Sequence, residues 1–140
     1  MAEIVIGYDG SDCGRAALAE GVTLAKELGD KVRIVFGFAP GGAGGGEVPT
    51  QREAVHELGE RITAEAAAKA SEAGVDHEVE MLNEHAAHAL VDVAREHDAR
   101  MIVVGTHGES PLRGAILGST AHRLVQIAER PVLIVHADGD

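Results

Sequence analysis

The sequence predicts an α/β domain built on one doubly wound, five-stranded parallel sheet with helices on both faces. Three observations predict it. Short, β-branched aliphatic runs recur along the chain, Ala-rich segments with helical spacing separate them, and the two kinds of segment alternate strictly from start to finish. With one Tyr, two Phe and no Trp among 140 residues, the core has to be built from Val, Ile, Leu and Ala. That is the composition of strands covered on both faces.

The first strand is predicted over Glu3 to Tyr8, the second over Val32 to Phe38, the fourth over Arg100 to Gly105 and the last over Pro131 to His136, each bounded by turn residues. Ile4-Val5-Ile6, Met101-Ile102-Val103-Val104 and Val132-Leu133-Ile134-Val135 are continuously apolar, as in the middle of a parallel sheet. The third strand, Asp76 to Leu82, alternates charged and apolar residues, which predicts an edge strand with one wetter face. Between the strands, Ser11 to Leu28 reads as a helix, with Ser11 and Asp12 available as N-cap and Gly29 as the stop. Its inward stripe is read as Ala16, Ala17, Ala19, Leu24, Ala25 and Leu28. Thr50 to Ala73 is a long, Ala-rich helix ending at Gly74, and its acidic residues Glu53, Glu57, Glu60 and Glu65 read as a solvated face. His85 to His97 offers Ala86, Ala89, Leu90, Val93 and Ala94 as a buried stripe, and Ser119 to Ala128 turns Leu124, Val125 and Ile127 inward. Strict alternation implies right-handed crossovers, with ligands bound beyond the carboxyl ends of the strands. Asp9, the Gly37 to Phe38 region and the loop at Gly105 then share one rim.

Length and charge narrow the function. A chain of 140 residues is one domain's worth, able to bury roughly 70% of its unfolded surface, and no repeat or second domain is visible. Twelve Lys and Arg against 23 Asp and Glu give a net charge of −11, which repels phosphate backbones and anionic lipids and argues against nucleic acid or membrane as partners. The acidic excess with only three lysines fits either a protein kept soluble in concentrated salt or an ordinary acidic cytoplasmic protein. Cys13 is the only cysteine, so no internal disulfide is expected, and it reads as a small residue packed under the first helix. No stretch approaches the roughly 20 apolar residues of a membrane span, which leaves the cytoplasm as the expected location. Pro40 to Gly46, with five glycines in seven residues, reads as a connector or as a lid. His85 and His88 lie three apart on a helix but have no third ligand nearby in sequence.

The informative stretch runs from Gly105 to Thr120, beginning as a strand ends and finishing as a helix begins. Gly105 and Gly108 allow a sharp turn and close approach of an anion to the main chain. Gly118 does the same at the helix entrance, while Ser119 and Thr120 add hydroxyls in a first turn whose free N–H groups and dipole favour negative charge. Arg113 is the one cation inside the motif. The chain has no Gly-x-x-x-x-Gly-Lys-Ser/Thr motif, which excludes a P-loop.

The spacing Gly, two residues, Gly, nine residues, Gly, Ser resembles the ATP-binding signature of the universal stress protein family. Ile4 to Ser11 looks like that family's first strand with its terminal Asp, Gly105 to Gly108 like its fourth-strand loop, and Arg130 to Val135 like its closing strand. The resemblance runs from Ile4 to Val135. It implies a single Rossmann-like domain over residues 1–140, of the adenine nucleotide alpha hydrolase-like type, with strand order 3-2-1-4-5. It further implies a site in which Gly7, Tyr8 and Asp9 flank the nucleotide and Gly37 meets the adenine. Ribose and phosphates would lie along Gly105, Thr106, His107, Gly108, Glu109, Ser110, Gly118, Ser119 and Thr120. The implied ligand is ATP carrying Mg²⁺, and the implied role is nucleotide-dependent regulation in a stress response. A slow ATPase or phosphotransferase and a nucleotide-free interaction module are the alternatives. No residue is singled out as catalytic: His107 reads as a loop organiser, and Asp9 as a helix cap, a site residue or both. Glu109 departs from the basic residue common in similar motifs and weakens phosphate binding unless metal or Arg113 offsets it. The resemblance also implies a homodimer paired through the strand Pro131 to His136, an apolar sheet edge in this strand order.

Overall fold

A computed structural model describes residues 1–38, 49–107 and 117–137, with the backbone alone for 49–52. The elements follow in the order β1 (Glu3–Gly7), α1 (Asp12–Leu28), β2 (Lys31–Gly37), α2 (Pro49–Glu72), β3 (His77–Leu82), α3 (Ala86–Glu96), β4 (Met101–Gly105), α4 (Ser119–Ile127) and β5 (Val132–Val135). All five strands are parallel in one sheet of order β3-β2-β1-β4-β5, as predicted.

Alternation along the strands divides the core into two layers. Ile4, Ile6, Val32, Ile34 and Val103 face α1 and α2, while Val5, Val35, Ile102 and Val104 face α3 and α4. Both sets lie at or near zero exposure, which is why β1 and β4 read as unbroken apolar runs.

The ends of α1 form as the sequence dictates. Ser11 Oγ accepts the Gly14 N–H at 3.1 Å, and Gly29 closes the helix at φ +72°, its N–H returning to the Ala25 carbonyl. The buried stripe of α1 differs from the predicted one: it is Cys13, Gly14, Ala17, Leu18, Gly21, Val22 and Ala25, and Leu28 is exposed. Ala17 and Ala25 are common to both, and the additions include two glycines seven apart, Gly14 and Gly21. A Cβ at Gly21 would stand 2.5 Å from Ile6 Cδ1, so the helix lies against β1 at a distance only glycine permits. On α4 the inward residues are Ala121 and Leu124, and Val125, expected inside, is 56% exposed. β3 departs too: Val79 is exposed while Glu80 is half-buried, so the charged face is held by ion pairs rather than left to solvent.

Because β1 and β4 are neighbours and the chain leaves them toward opposite faces of the sheet, the switch in strand order falls between them. The gap it opens lies at the carboxyl ends of the strands.

Truncating Ile34, fully buried on β2, is expected to cost about 2–5 kcal/mol in a urea unfolding titration of Ile34→Ala. Val125→Ala on the exposed side of α4 should stay within about 0.5 kcal/mol.

Candidate functional site

The ends of β1, β2 and β4 and the first turns of α3 and α4 enclose a crevice of about 480 Å³, open solvent included. Gly7, Tyr8 and Asp9 enter from β1 and its turn, Gly37 from β2, Gly105, Thr106 and His107 from β4 and its exit, and Gly118 and Thr120 from the start of α4. Nine predicted residues from four separate stretches of sequence thus meet in one place. Ser119, exposed at the first position of α4, does not line the crevice. Gly108, Glu109 and Ser110 lie outside the described residues, as do Arg113 and the glycine run at 41–46.

The wall formed by α4 is main chain. Gly118 occupies the N-cap in extended geometry (φ −69°, ψ 169°) and offers no side chain to the helix, so the N–H groups of the first turn have no side-chain cap among the described residues. Its own N–H donates to the Thr106 carbonyl at 2.6 Å, which holds the start of α4 against the exit of β4. Thr106 is almost fully buried, with Oγ1 3.4 Å from Cys13 Sγ and 3.3 Å from His107 Nδ1. The effect is to aim a helix N-terminus, with its positive dipole end, into the crevice.

Gly105 lines the crevice and also serves packing. A Cβ there would meet the Cys13 carbonyl carbon, carbonyl oxygen and Cβ, all at 2.6 Å. The first turn of α1 therefore lies directly against the end of β4. Gly37 is confined in the same way, 2.8 Å separating a Cβ at this position from Ala86 Cα at the start of α3.

Asp9 Oδ1 accepts the Ser11 N–H at 3.0 Å and the Ser11 hydroxyl at 2.5 Å. Asp9 therefore organises the turn before α1, while Ser11 is the cap itself. Its second oxygen has no hydrogen-bond partner among the described residues. Tyr8 lines the crevice, and its hydroxyl donates to Glu65 Oε1 at 2.9 Å, while Glu65 also receives Arg15 Nε at 3.2 Å. Burial first, and the Glu65 carboxylate second, push the Tyr8 phenol up to about 12. The bond from Tyr8, followed by that from Arg15, holds Glu65 below the usual carboxylate range.

Sequence reasoning missed the apolar floor. Val35, Phe36, Ala86, Leu90, Val104 and Ala121 line the crevice between its polar ends. Placing the first turn of α3 at the same sheet end as Gly37 would have found Ala86 and Leu90, since both elements end or begin at that rim.

The family model described as "Universal stress protein family" matches residues 1–136. Universal stress protein YxiE of Bacillus subtilis is 33% identical over 144 aligned positions, covering 95% of this chain and 97% of its own. Among solved structures, a universal stress protein in complex with cAMP superposes with a TM-score of 0.78 at 27% identity, covering 98% of both chains. The universal stress protein from Archaeoglobus fulgidus in complex with dAMP gives 0.72 at 25% identity, covering 96% of this chain and 98% of its own.

Tyr8 is the only tyrosine, so its ionisation can be followed by phenolate absorbance without ambiguity. The midpoint is expected near 12 in the folded protein against the ordinary 10.0, and lower in Glu65→Gln. Because folding holds the phenol neutral, this contribution to stability is whole below pH 10 and is lost as pH rises from 10 through about 12. A midpoint at 10 in the folded protein would contradict the burial and the bond to Glu65.

Proposed function

Because the chain belongs to the universal stress protein family, we propose that the crevice binds an adenine nucleotide, ATP with Mg²⁺, and that occupancy rather than turnover is its signal. The observation that carries this reading is the N-terminus of α4, without a side-chain cap among the described residues, where Thr120 and Ala121 line the crevice and the first-turn amides lack helical partners. The apolar floor under Gly37 suits a flat heterocycle, with Leu90 and Val35 beneath it and main chain at its edge. The ligands of two similar proteins, cAMP and dAMP, both join adenine to a single phosphate and so support the class of ligand.

The residues present fit the remainder of the ligand. The N–H groups of α4 and the main chain at Gly105 to His107 would receive the phosphates, joined by Gly108, Glu109 and Ser110 from the same motif. Asp9 has one oxygen uncommitted and would hold Mg²⁺, which supplies charge neutralisation to the phosphate chain. A bound metal or Arg113 would be needed to offset the charge of Glu109 in the motif. No catalytic residue is assigned: one oxygen of Asp9 is fixed by Ser11, and His107 Nδ1 is turned to Thr106 Oγ1.

The same reading takes the chain as one domain acting in the cytoplasm as a homodimer. No described helix is long and apolar enough to cross a membrane. β5 pairs with β4 alone among the described strands, and its four residues are all half-buried. Its free edge offers an antiparallel pairing to a second copy.

Gly118→Val tests the phosphate position without straining the backbone, since φ −69° is open to any residue. Calorimetry should show ATP and Mg²⁺ binding to the parent chain with no phosphate released. The variant should lose at least about tenfold in affinity while keeping its far-ultraviolet circular dichroism, a 1.4 kcal/mol effect per decade. Undiminished affinity in the folded variant would refute the placement.

A further inference from the structure

A second cluster of polar groups lies at the end of the sheet away from the crevice. α3 begins at the crevice with Ala86 and ends ten residues later at Glu96, about 15 Å away at 1.5 Å per residue. At that far end Glu96 closes the helix, His97 caps it, and the His97 ring lies over Glu3 of β1 and Glu80 of β3.

His97 Nδ1 is 3.5 Å from Glu3 Oε2, and Nε2 is 3.4 Å from Glu80 Oε2 and 3.9 Å from Glu96 Oε2. With Nδ1 carrying the proton toward Glu3, Nε2 presents a lone pair to two carboxylate oxygens. Nε2 and the two carboxylate oxygens then converge, with Glu80 Oε2 also receiving Arg33 Nη1 at 2.9 Å, and a shared cation would complete the arrangement. A carboxylate behind the far nitrogen of a histidine is also the support that fixes an imidazole ligand in orientation and tautomer.

The charge count agrees. Glu3, Glu80 and Glu96 contribute three negative charges, and Arg33, at 2.8 Å from Glu3 and 2.9 Å from Glu80, contributes one positive, leaving two negative with His97 neutral. Neighbouring cations are engaged elsewhere: Lys31 with Glu78, and Arg95 with Glu129 and Asp92. Glu3 and Glu80 are shielded at 13% and 25% side-chain exposure, so their field is weakly screened, while Glu96 at 71% leaves a way in. The carboxyl end of α3 adds a negative dipole end.

We propose that Glu80, Glu96 and His97 form a binding site for a zinc-class divalent cation, independent of the nucleotide crevice. Their ligand atoms all lie within 4.8 Å of one another. Tetrahedral zinc, with ligands at about 2.0–2.1 Å, needs them about 3.3 Å apart, a spacing His97 and Glu80 already hold. The exposed Glu96 side chain closes the remaining gap, and water takes the fourth position. One imidazole with two carboxylates selects zinc over magnesium, which prefers six oxygens and keeps its waters.

The test is calorimetric titration of ZnCl₂ into the chelator-treated, nucleotide-free full chain, with MgCl₂ in parallel and Co²⁺ absorption reporting tetrahedral coordination. One zinc per chain is expected, with no magnesium binding at the same concentrations. His97→Gln and Glu80→Gln should abolish the stoichiometric step, and Glu3→Gln should weaken it about tenfold through the orientation of His97. Glu96→Gln alters an exposed side chain, so weaker binding in that folded variant cannot be ascribed to misfolding. A double variant His85→Gln/His88→Gln should bind zinc as the parent does. The proposal is overturned if zinc binding survives in His97→Gln but not in that double variant. Absence of saturable binding in the parent overturns it equally.

Discussion

The structure turns on Thr106. Its N–H donates to the Val135 carbonyl at 3.0 Å, its carbonyl receives the Gly118 N–H at 2.6 Å, and its hydroxyl lies against Cys13 Sγ. One buried residue thereby ties β4 to β5, to the start of α4 and to the first turn of α1. In a site at 1% exposure these bonds are little weakened by competition from water. Gly105, immediately before it, removes the side chain that would separate Cys13 from the strand. The outcome is a helix N-terminus whose free donors are positioned before any ligand arrives, which lowers the ordering cost of binding.

The two ends of the sheet are built from different materials. The crevice end uses main chain, glycines and an apolar floor, so that polarity comes from amides with fixed direction. The opposite end uses ion pairs. Arg100 grips Asp30 with Nε at 2.6 Å and Nη2 at 3.1 Å, joining the start of β4 to the turn before β2. Arg33 reaches Glu3 on one neighbouring strand and Glu80 on the other. Such pairs add little net stability when desolvation is counted, but they hold register: a slip of one residue would turn Arg33 to the face packed by α1 and α2.

Much of this was legible in the sequence. Unbroken aliphatic runs marked β1, β4 and β5, caps marked the ends of α1, and strict alternation implied the parallel sheet. Strand bounds differ from the predicted ones by about one residue, because pairing partners rather than propensity decide where a ladder stops. What was not legible depended on distance in space. Gly21 and Gly105 look like any other glycine until Ile6 and Cys13 are placed beside them. Val125 has the helical spacing of a core residue, yet α4 meets the sheet along Ala121 and Leu124 only. Glu80 reads as a solvated residue in an alternating strand, and only the end of α3 and Arg33 on β2 make it part of a half-buried network. At the crevice, nine residues were foreseen because a motif names them, while its floor, made of ordinary Val, Leu and Ala, carries no signature.

The central claim is that main-chain amides at the start of α4 grip an anionic ligand. Amide nitrogen and proton shifts, measured by NMR as ATP and Mg²⁺ are added, read this directly. Large, saturable changes are predicted at Ser119, Thr120 and Ala121, with a second group around Gly37. If those amides stay unmoved at saturating nucleotide while others shift, the ligand sits elsewhere and the account is wrong.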